Sequence, residues 1–468
     1  MSQEKAASDS LLGVAEQEML KTAKDAARLF SSYNREQVQK IVAAVSAAAY
    51  AKAAHYAEWS VRETGYGVVE HKKVKNELAA VSVPEFYKDT DFTAIQVDTG
   101  KKVVKIPRPA GVVLGLAPCT NPIATIIFKS MISILSRNAL IICPHPAAKG
   151  CCVDAADVIA EAAEQAGAPK GIIQVVREPN LPLVGALMKS DQINVILATG
   201  GPGVVRAAYS SGNPALGVGS GNVADYVDES AVIQKAAAEI VLSASFDNNL
   251  PCTCVSVVLA EREIADELAA ELKNNGSHMV ADPQEIEKLR AYLYPEGNYN
   301  PAAVGKSAQW IADEAGISFT GGAVVLCVEI ERIDPNDVFA REKFFPVLGF
   351  LRVKGVDGAL EAARAMIATG GAGHSVSVHS NKPAAVAAMS TLDVYRVAVN
   401  GPSVLVSSGV ASGLAPTFTL GTGYFGRSSV GENVGPGHLV HWTSIAYNSD
   451  PSEVMGDIAD ALAFQARC

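Results

Sequence analysis

The chain is short of charge, of aromatic side chains and above all of positive charge. Of its 468 residues 19% are charged and 6% aromatic, and 49 acidic against 39 basic side chains leave a formal net charge of −10. Phosphate recognition along a nucleic acid needs clustered Lys and Arg that release counterions; no basic run interleaved with aromatics occurs, so nucleic acid is excluded as a partner. Uninterrupted apolar runs are scarce too. The stretch between Arg108 and Lys129 carries no charge and reaches membrane-spanning length, but Pro118, Asn121 and Pro122 break it, so a strand, a turn and a helix are expected and no membrane span. The N-terminal "MSQEKAASDSLLG" lacks a long apolar core and does not read as a secretory signal, which leads us to expect a cytoplasmic protein. The eight cysteines (Cys119, Cys143, Cys151, Cys152, Cys252, Cys254, Cys327 and Cys468) show neither disulfide-framework nor zinc-site spacing. Reduced thiols and no metal are the expectation.

What is present is apolar: 49% hydrophobic residues with 39 Gly and 23 Pro, the profile of a soluble enzyme-like globule. The length exceeds what one core organises, so two lobes are expected. Residues 9–64 carry apolar residues at spacings of three and four and read as amphipathic helices. Residues 94–107, "AIQVDTGKKVVKIP", alternate and turn at Thr99-Gly100, a β-hairpin whose outer face is a candidate for pairing with another subunit. Then "GVVLGLAP", "ALIICP", "GIIQVV" and "NVILATG" alternate with helical segments, the rhythm of βαβ units in a doubly wound parallel sheet. After residues 222–226 the pattern restarts with "VSVVLAE", "GAVVLCVEI", "FPVLGFLRV", "HSVSVHS" and "YRVAVN", a second α/β lobe. A cleft between the lobes is the expected active site.

Three stretches can carry chemistry. "ATGGPGVVRAAYSSG" follows an apolar strand and opens a helix, so Thr199, Gly200 and Gly201 can admit an anionic ligand to a helix N-terminus, although such turns also serve close packing. "FDNNLPCTC" puts Cys252 and Cys254 behind a turn; a metal clip, a redox pair, buried packing and a nucleophile are the alternatives, and an extended segment points both thiols to one side. "LAPCTNPIATI" puts Asn121 at the end of a strand, where its amide can donate to a developing oxyanion or simply make a turn.

Taken in order, "APCTNP", "CPHPAAKG", "ATGGPGVVRAAYSSG", "GVGSGN", "SFDNNLPC", "REKFFPVL", "GAGHS" and "TLGTGYFGRSSVGENVGPGHL" resemble the coenzyme A-acylating aldehyde dehydrogenases, from about residue 12 to about residue 448. The resemblance implies two doubly wound Rossmann-like lobes with the hairpin as an oligomerisation flap. The NAD(P)-binding domain would comprise residues 1–223 with parts of 424–468, and the catalytic thiol domain residues 224–423. It implies that Cys252 attacks an aldehyde to give a thiohemiacetal, which loses hydride to NAD or NADP and becomes a thioester for coenzyme A. Asn121 and the Cys252 backbone N–H would form the oxyanion hole, Glu342 would hold the nicotinamide ribose, and Thr199, Gly200, Gly201, His145 and Pro146 would line the cofactor site.

Hydrolytic relatives carry a Glu that activates water; here Gly217 of "LGVGSGN" stands in its place, which disfavours a hydrolytic enzyme. His374 is a candidate to accept the thiol proton of coenzyme A, or else a structural histidine. At the adenosine ribose the chain offers His145 and Ala148, no carboxylate, and Lys149 nearby, which leaves NADP open. Many relatives have a Glu where Val255 stands. Relatives act on acetaldehyde, propionaldehyde, succinic semialdehyde or sulfoacetaldehyde, and an anionic substrate would need Lys129, Arg206 or Arg427 near Cys252. A homodimer or homotetramer is expected. The tail "SEVMGDIADALAFQARC" has helical periodicity that suits plain helix or docking on a microcompartment shell, and a catalytically silent scaffold is disfavoured by the joint presence of Cys252, Asn121 and Glu342.

Overall fold

Three sheets organise the chain in a computed structural model, which describes residues 12–319 and 321–456. The suspected shell-docking tail therefore lies mostly outside the described residues. The interrupted run 108–129 becomes β3 (Val112–Ala117), a turn and a helix from Pro122 to Leu135 buried along its whole length. Proline at its first position suits a helix start, since the N–H it lacks has no partner there. With β4 (Ala139–Pro144), β5 (Ile173–Val175), β6 (Val195–Ala198) and β7 (Ala215–Gly217), β3 forms a five-stranded parallel sheet in the order β5-β4-β3-β6-β7. Chain order reverses between β3 and β6. In open α/β sheets ligands bind beyond the carboxyl ends of the strands at such a reversal. Lys129 marks the place from below: fully buried, its Nζ donates to the carbonyls of Leu116 in β3 and Leu197 in β6.

The second sheet has seven parallel strands in the order β10-β11-β12-β9-β8-β13-β14, with β8 (Val223–Val227), β9 (Val255–Glu261), β10 (Ser277–Val280), β11 (Val325–Glu329), β12 (Val347–Val353), β13 (Val376–His379) and β14 (Val397–Val399). In chain order β7 is the last strand of the first sheet and β8 the first of the second. The hairpin is present as β1 (Gln96–Asp98) and β2 (Val103–Pro109), turning through Lys102 at φ 52°, and β15 (Val440–Ala446) pairs antiparallel with β2 along its whole length. β1 is exposed throughout. The amphipathic N-terminal segment forms helices Val14–Phe30, Arg35–Ala51 and Ala53–Thr64, and a fourth, Val69–Tyr87, follows them. Among the described residues no helix is long and apolar enough to cross a membrane.

One buried ionic cluster ties the N-terminal helices to the head of the second lobe. Asp247, Asn248 and Asn249 are consecutive left-handed residues with φ of 51°, 56° and 64°. That conformation costs any residue with a Cβ, and Asp and Asn least. Each of the three side chains is tethered. Asp247 accepts from the Val68 N–H at 2.8 Å, from Lys72 at 3.0 Å and from Lys75. Asn248 donates to the Gly305 carbonyl, and Asn249 to those of Ala244 and Val255. The Asp247 N–H donates to Nδ1 of His71, whose ring stacks on Phe246 at 4.7 Å. Burial alone would raise the Asp247 carboxyl, but Lys75 and then Lys72 outweigh it and hold it below the usual range. Removing one partner of such a pair leaves uncompensated buried charge. Asp247→Ala is therefore expected to lose about 3–5 kcal/mol of unfolding free energy, read by denaturant unfolding; an unchanged midpoint would show that the cluster does not secure the fold.

Candidate active site

The two sheets meet with opposite ends. From the first come segments after strands: Asn121 follows β3 and Thr199–Gly201 follow β6. From the second come segments before strands: Gly221 precedes β8, Cys252 precedes β9, Glu342 precedes β12 and His374 precedes β13. The side-by-side order of β12, β9, β8 and β13 brings the last four together.

Cys252 lies in a turn closed by the Cys254 N–H donating to the Pro251 carbonyl at 3.0 Å. It is half-buried, with no backbone partner for its own N–H among the described residues. Gly221 backs directly onto it: a Cβ there would sit 1.9 Å from the Cys252 carbonyl oxygen, so only glycine lets the two segments approach. The Gly221 N–H donates at 2.8 Å to Glu342 Oε1, which holds that carboxylate beside the thiol. Burial pushes the Glu342 carboxyl up to about 8, with the Gly221 N–H opposing it. Burial also pushes the Cys252 thiol up to about 12; Glu342 adds to the shift and Arg396 opposes it.

Arg396 is the cation that Cys252 senses, and sequence reasoning missed it. Buried, it donates to Asn433 Oδ1 and to the carbonyls of His374, Gly421 and Gly431, and no carboxylate pairs with it among the described residues. Desolvation lowers it to about 10. Its position in "VYRVAVN", at the head of a strand, carries no sequence signal of a site. Lys129 is engaged under the first sheet, while Arg206 and Arg427 are exposed, so none of the three cations expected for an anionic substrate pairs with the thiol.

Asn121 initiates the helix Pro122–Leu135 but its side chain makes no cap. Its Oδ1 accepts from Lys75, and its Nδ2 reaches only Thr120 Oγ1, at 3.4 Å. His374 is fully buried; Nδ1 lies 2.7 Å from Ser375 Oγ, and Nε2 has no hydrogen-bond partner. Burial, then Arg396, lower it to about 3, so the ring is neutral at physiological pH. Cys254 is buried among Phe246 and Val404, its thiol pushed well up by desolvation. Val255 packs in the apolar cluster between the second sheet and the helix Ile233–Ser245. A Glu there would place a carboxylate in that cluster.

The turn after β6 is open. Gly201 starts the helix Pro202–Tyr209 with no side-chain cap, and a Cβ on Gly201 or Gly203 would meet nothing within 4 Å. An uncrowded glycine-rich helix start at a strand reversal suits a dinucleotide pyrophosphate. Thr199 Oγ1 lies 3.2 Å from Thr419 Oγ1. His145 and Pro146 are exposed, with His145 Nδ1 accepting from the Ala147 N–H. Lys149 Nζ is paired at 2.5 Å with Glu178, so a carboxylate does stand beside the lysine expected to attract a 2′-phosphate.

Gly217 proves to be packed. A Cβ there would lie 2.7 Å from the Tyr209 ring and 2.8 Å from Val205, and the Tyr209 hydroxyl accepts from the Gly217 N–H at 2.8 Å. A side chain at this position would meet the Tyr209 ring. Among the described residues no group of side chains forms a metal site, and seven cysteines are free thiols.

A thiol whose acidity is weakened stays neutral to higher pH. The rate of Cys252 alkylation should therefore rise about tenfold per pH unit without levelling through about pH 9.5, where an ordinary thiol near 8.5 has already levelled off. A plateau near 8.5 would contradict the assigned surroundings.

The model of the aldehyde dehydrogenase family matches residues 14–415. The bifunctional aldehyde-alcohol dehydrogenase AdhE of Escherichia coli K12 is 37% identical over 439 residues, covering 92% of this chain and 49% of that protein. The acetylating succinate-semialdehyde dehydrogenase of Clostridium kluyveri is 34% identical over 443 residues, covering 94% and 97%. The chain thus spans about half the length of the first relative and nearly all of the second. Among solved structures, an acetylating aldehyde dehydrogenase from Geobacillus thermoglucosidasius superposes with a TM-score of 0.91 at 36% identity, covering 94% of this chain and 97% of that one. Two more superpose at 0.84 with 27% identity, each covering 92% of this chain and 96% of the other. They are a Rhodopseudomonas palustris propionaldehyde dehydrogenase with coenzyme A and an acylated cysteine, and an engineered glycolyl-CoA reductase with NADP+. Matching sheets, a matching family model and identities above 30% along most of the chain lead to one conclusion: it belongs to the aldehyde dehydrogenase family.

Proposed function

We propose that the protein is a coenzyme A-acylating aldehyde dehydrogenase that interconverts a short-chain aldehyde and its acyl-coenzyme A. The observation that carries this reading is the packing of Gly217 against Tyr209 and Val205, which leaves no room at that position for the Glu of hydrolytic relatives, while the carboxylate that does neighbour the half-buried Cys252, Glu342, is engaged by the Gly221 N–H. The solved relative with coenzyme A and an acylated cysteine supports it.

Bound, the nicotinamide supplies a hydride acceptor and coenzyme A supplies a thiol. The chain's own groups do the rest. Sγ of Cys252 bonds to the aldehyde carbon as its S–H proton passes to solvent water, and the carbonyl π pair moves to oxygen, where Asn121 Nδ2 and the Cys252 N–H donate to the developing charge. Loss of hydride from the same carbon restores the carbonyl as a thioester on Cys252. Addition of a second thiol repeats the oxyanion in the same two donors, and the C–S bond to Cys252 breaks to return the free enzyme. Glu342, held at one oxygen by Gly221, keeps the other for a ribose hydroxyl. Neutral His374 offers Nε2 to the incoming thiol. The open turn Thr199–Gly201 receives the pyrophosphate, with His145 and Pro146 flanking the adenosine end.

The protein works in the cytoplasm as a dimer or tetramer built on the β1-β2-β15 sheet, whose β1 edge is exposed. The Lys149–Glu178 pair presents no net positive charge to a 2′-phosphate, which favours NAD.

The test follows reduced nicotinamide with short aldehydes, with and without coenzyme A, using each cofactor. Turnover should require coenzyme A and yield thioester, and Cys252→Ala should be inactive while Cys254→Ala keeps most of its rate; turnover to free acid without coenzyme A would overturn the acylating reading. In the same assay Glu178→Gln should raise kcat/KM with NADP relative to NAD about two- to fivefold, the effect of removing one exposed like charge. An unchanged ratio would remove Glu178 from cofactor choice.

A further inference from the structure

Lys75 touches neither thiol nor cofactor in the mechanism above, yet it is built into the site from both sides. It lies on the helix Val69–Tyr87, 5% exposed, and its Nζ donates to Asn121 Oδ1 and to Asp247 Oδ2. An ammonium has donors and no acceptor, so the Asn121 atom facing it must be the oxygen. The amide torsion of Asn has a broad two-fold profile, so nothing intrinsic to the residue selects one face. Here Lys75 selects it: with Oδ1 held, Nδ2 points away, and its sole partner among the described residues is the 3.4 Å contact to Thr120 Oγ1. A helix-initiating Asn whose side chain does not cap its own helix is held for something else.

We propose that Lys75 is a positioning residue for the oxyanion donor. Held against Asp247, it locks the Asn121 amide with Nδ2 toward the reacting carbonyl and polarises it, so the donor is in place before charge develops. The proposal rests on the Asn121 role stated above. Lys72 keeps the neighbouring chain in register independently, donating to the Thr120 carbonyl at 2.9 Å and to Asp247 at 3.0 Å. Loss of Lys75 therefore frees the amide while leaving Asp247 one cation.

A donor needed only in the transition state affects kcat and not aldehyde binding. Loss of an oxyanion donor costs about 10²–10³ in kcat, so Asn121→Ala should fall by that factor and Lys75→Met, which leaves the amide free to rotate, by about 10- to 100-fold, with aldehyde KM within about twofold. The decisive measurement is the cycle: added to Asn121→Ala, Lys75→Met should cost less than about twofold more, because the group it positions is gone. Lys75→Gln, which keeps a donor at the end of its side chain, should recover part of the loss, and it replaces Lys75→Met in the cycle if the methionine variant does not fold. An equal loss in both backgrounds, or no loss of kcat from Lys75→Met, overturns the proposal while leaving Asn121 in its role. Full activity of Asn121→Ala overturns the oxyanion assignment itself and the proposal with it.

Discussion

A single buried carboxylate governs how the two lobes meet. Asp247 is the first of three consecutive left-handed residues, and the chain leaves that turn to reach Cys252 five residues later. Its oxygens are held by the Val68 N–H, Lys72 and Lys75, all from the N-terminal helical region, and those lysines hold the Thr120 carbonyl and Asn121 at the end of β3. The proposed nucleophile Cys252 and the proposed oxyanion donor Asn121 lie beside different sheets and more than a hundred residues apart, and this cluster connects the segment carrying each. Two ammonium groups against one carboxylate leave it with positive charge: burial and the neighbouring Lys75 lower Lys72 to about 8 against the pull of Asp247. Burying such a set is unfavourable compared with apolar packing.

The reacting groups sit in a resting site that discourages charge. Cys252 is held neutral, Glu342 is pushed up to about 8, and His374 is neutral. Arg396 is the exception, a guanidinium held by one amide oxygen and three carbonyls. Its field favours negative charge on Cys252, and Glu342 opposes it. The balance keeps the thiol protonated, which limits oxidation and alkylation, since the thiolate is the reactive form. Fixed dipoles then act on an oxyanion that exists only during reaction, which is where they contribute most to rate.

The architecture was legible because it rests on local periodicity. Apolar runs such as "NVILATG" and "VSVVLAE" lie where β6 and β9 form, and Pro118 with Pro122 foretold the break between β3 and its helix. Strands β7, β8 and β10 were less visible: β7 and β8 flank the glycine-rich "GVGSG", and β10, "SHMV", is brief and half polar. Motif residues were placed by resemblance, and the structure brings Cys252, Gly221 and Glu342 together. The supporting groups were not legible. Lys72 and Lys75 belong to "EHKKVKNE", which reads as a solvated helix face, and only tertiary packing reveals that both are buried. Lys149 was read as a free cation because Glu178, its partner, lies 29 residues away. Charge pairing across elements leaves no periodic trace.

The comparison with hydrolytic relatives turns on space as much as on chemistry. A missing base could mean only that a side chain was trimmed, leaving a hole that water might occupy; Gly217 is different. Its missing Cβ is the surface on which the Tyr209 ring packs, and the Tyr209 hydroxyl is in turn bonded to the Gly217 N–H, to Ser428 Oγ at 2.8 Å and to the Ser429 N–H at 3.1 Å. Those bonds fasten the helix Pro202–Tyr209, whose other end opens the dinucleotide turn, to the segment after Thr422 that packs near Gly219. A carboxylate at this position requires displacing Tyr209, and with it the anchor of the helix proposed to receive the cofactor. On the proposed function, a hydrolytic base at residue 217 and the seating of the helix Pro202–Tyr209 therefore compete for the space of one ring, and single-residue conversion between the two chemistries is opposed by packing as well as by the identity of residue 217.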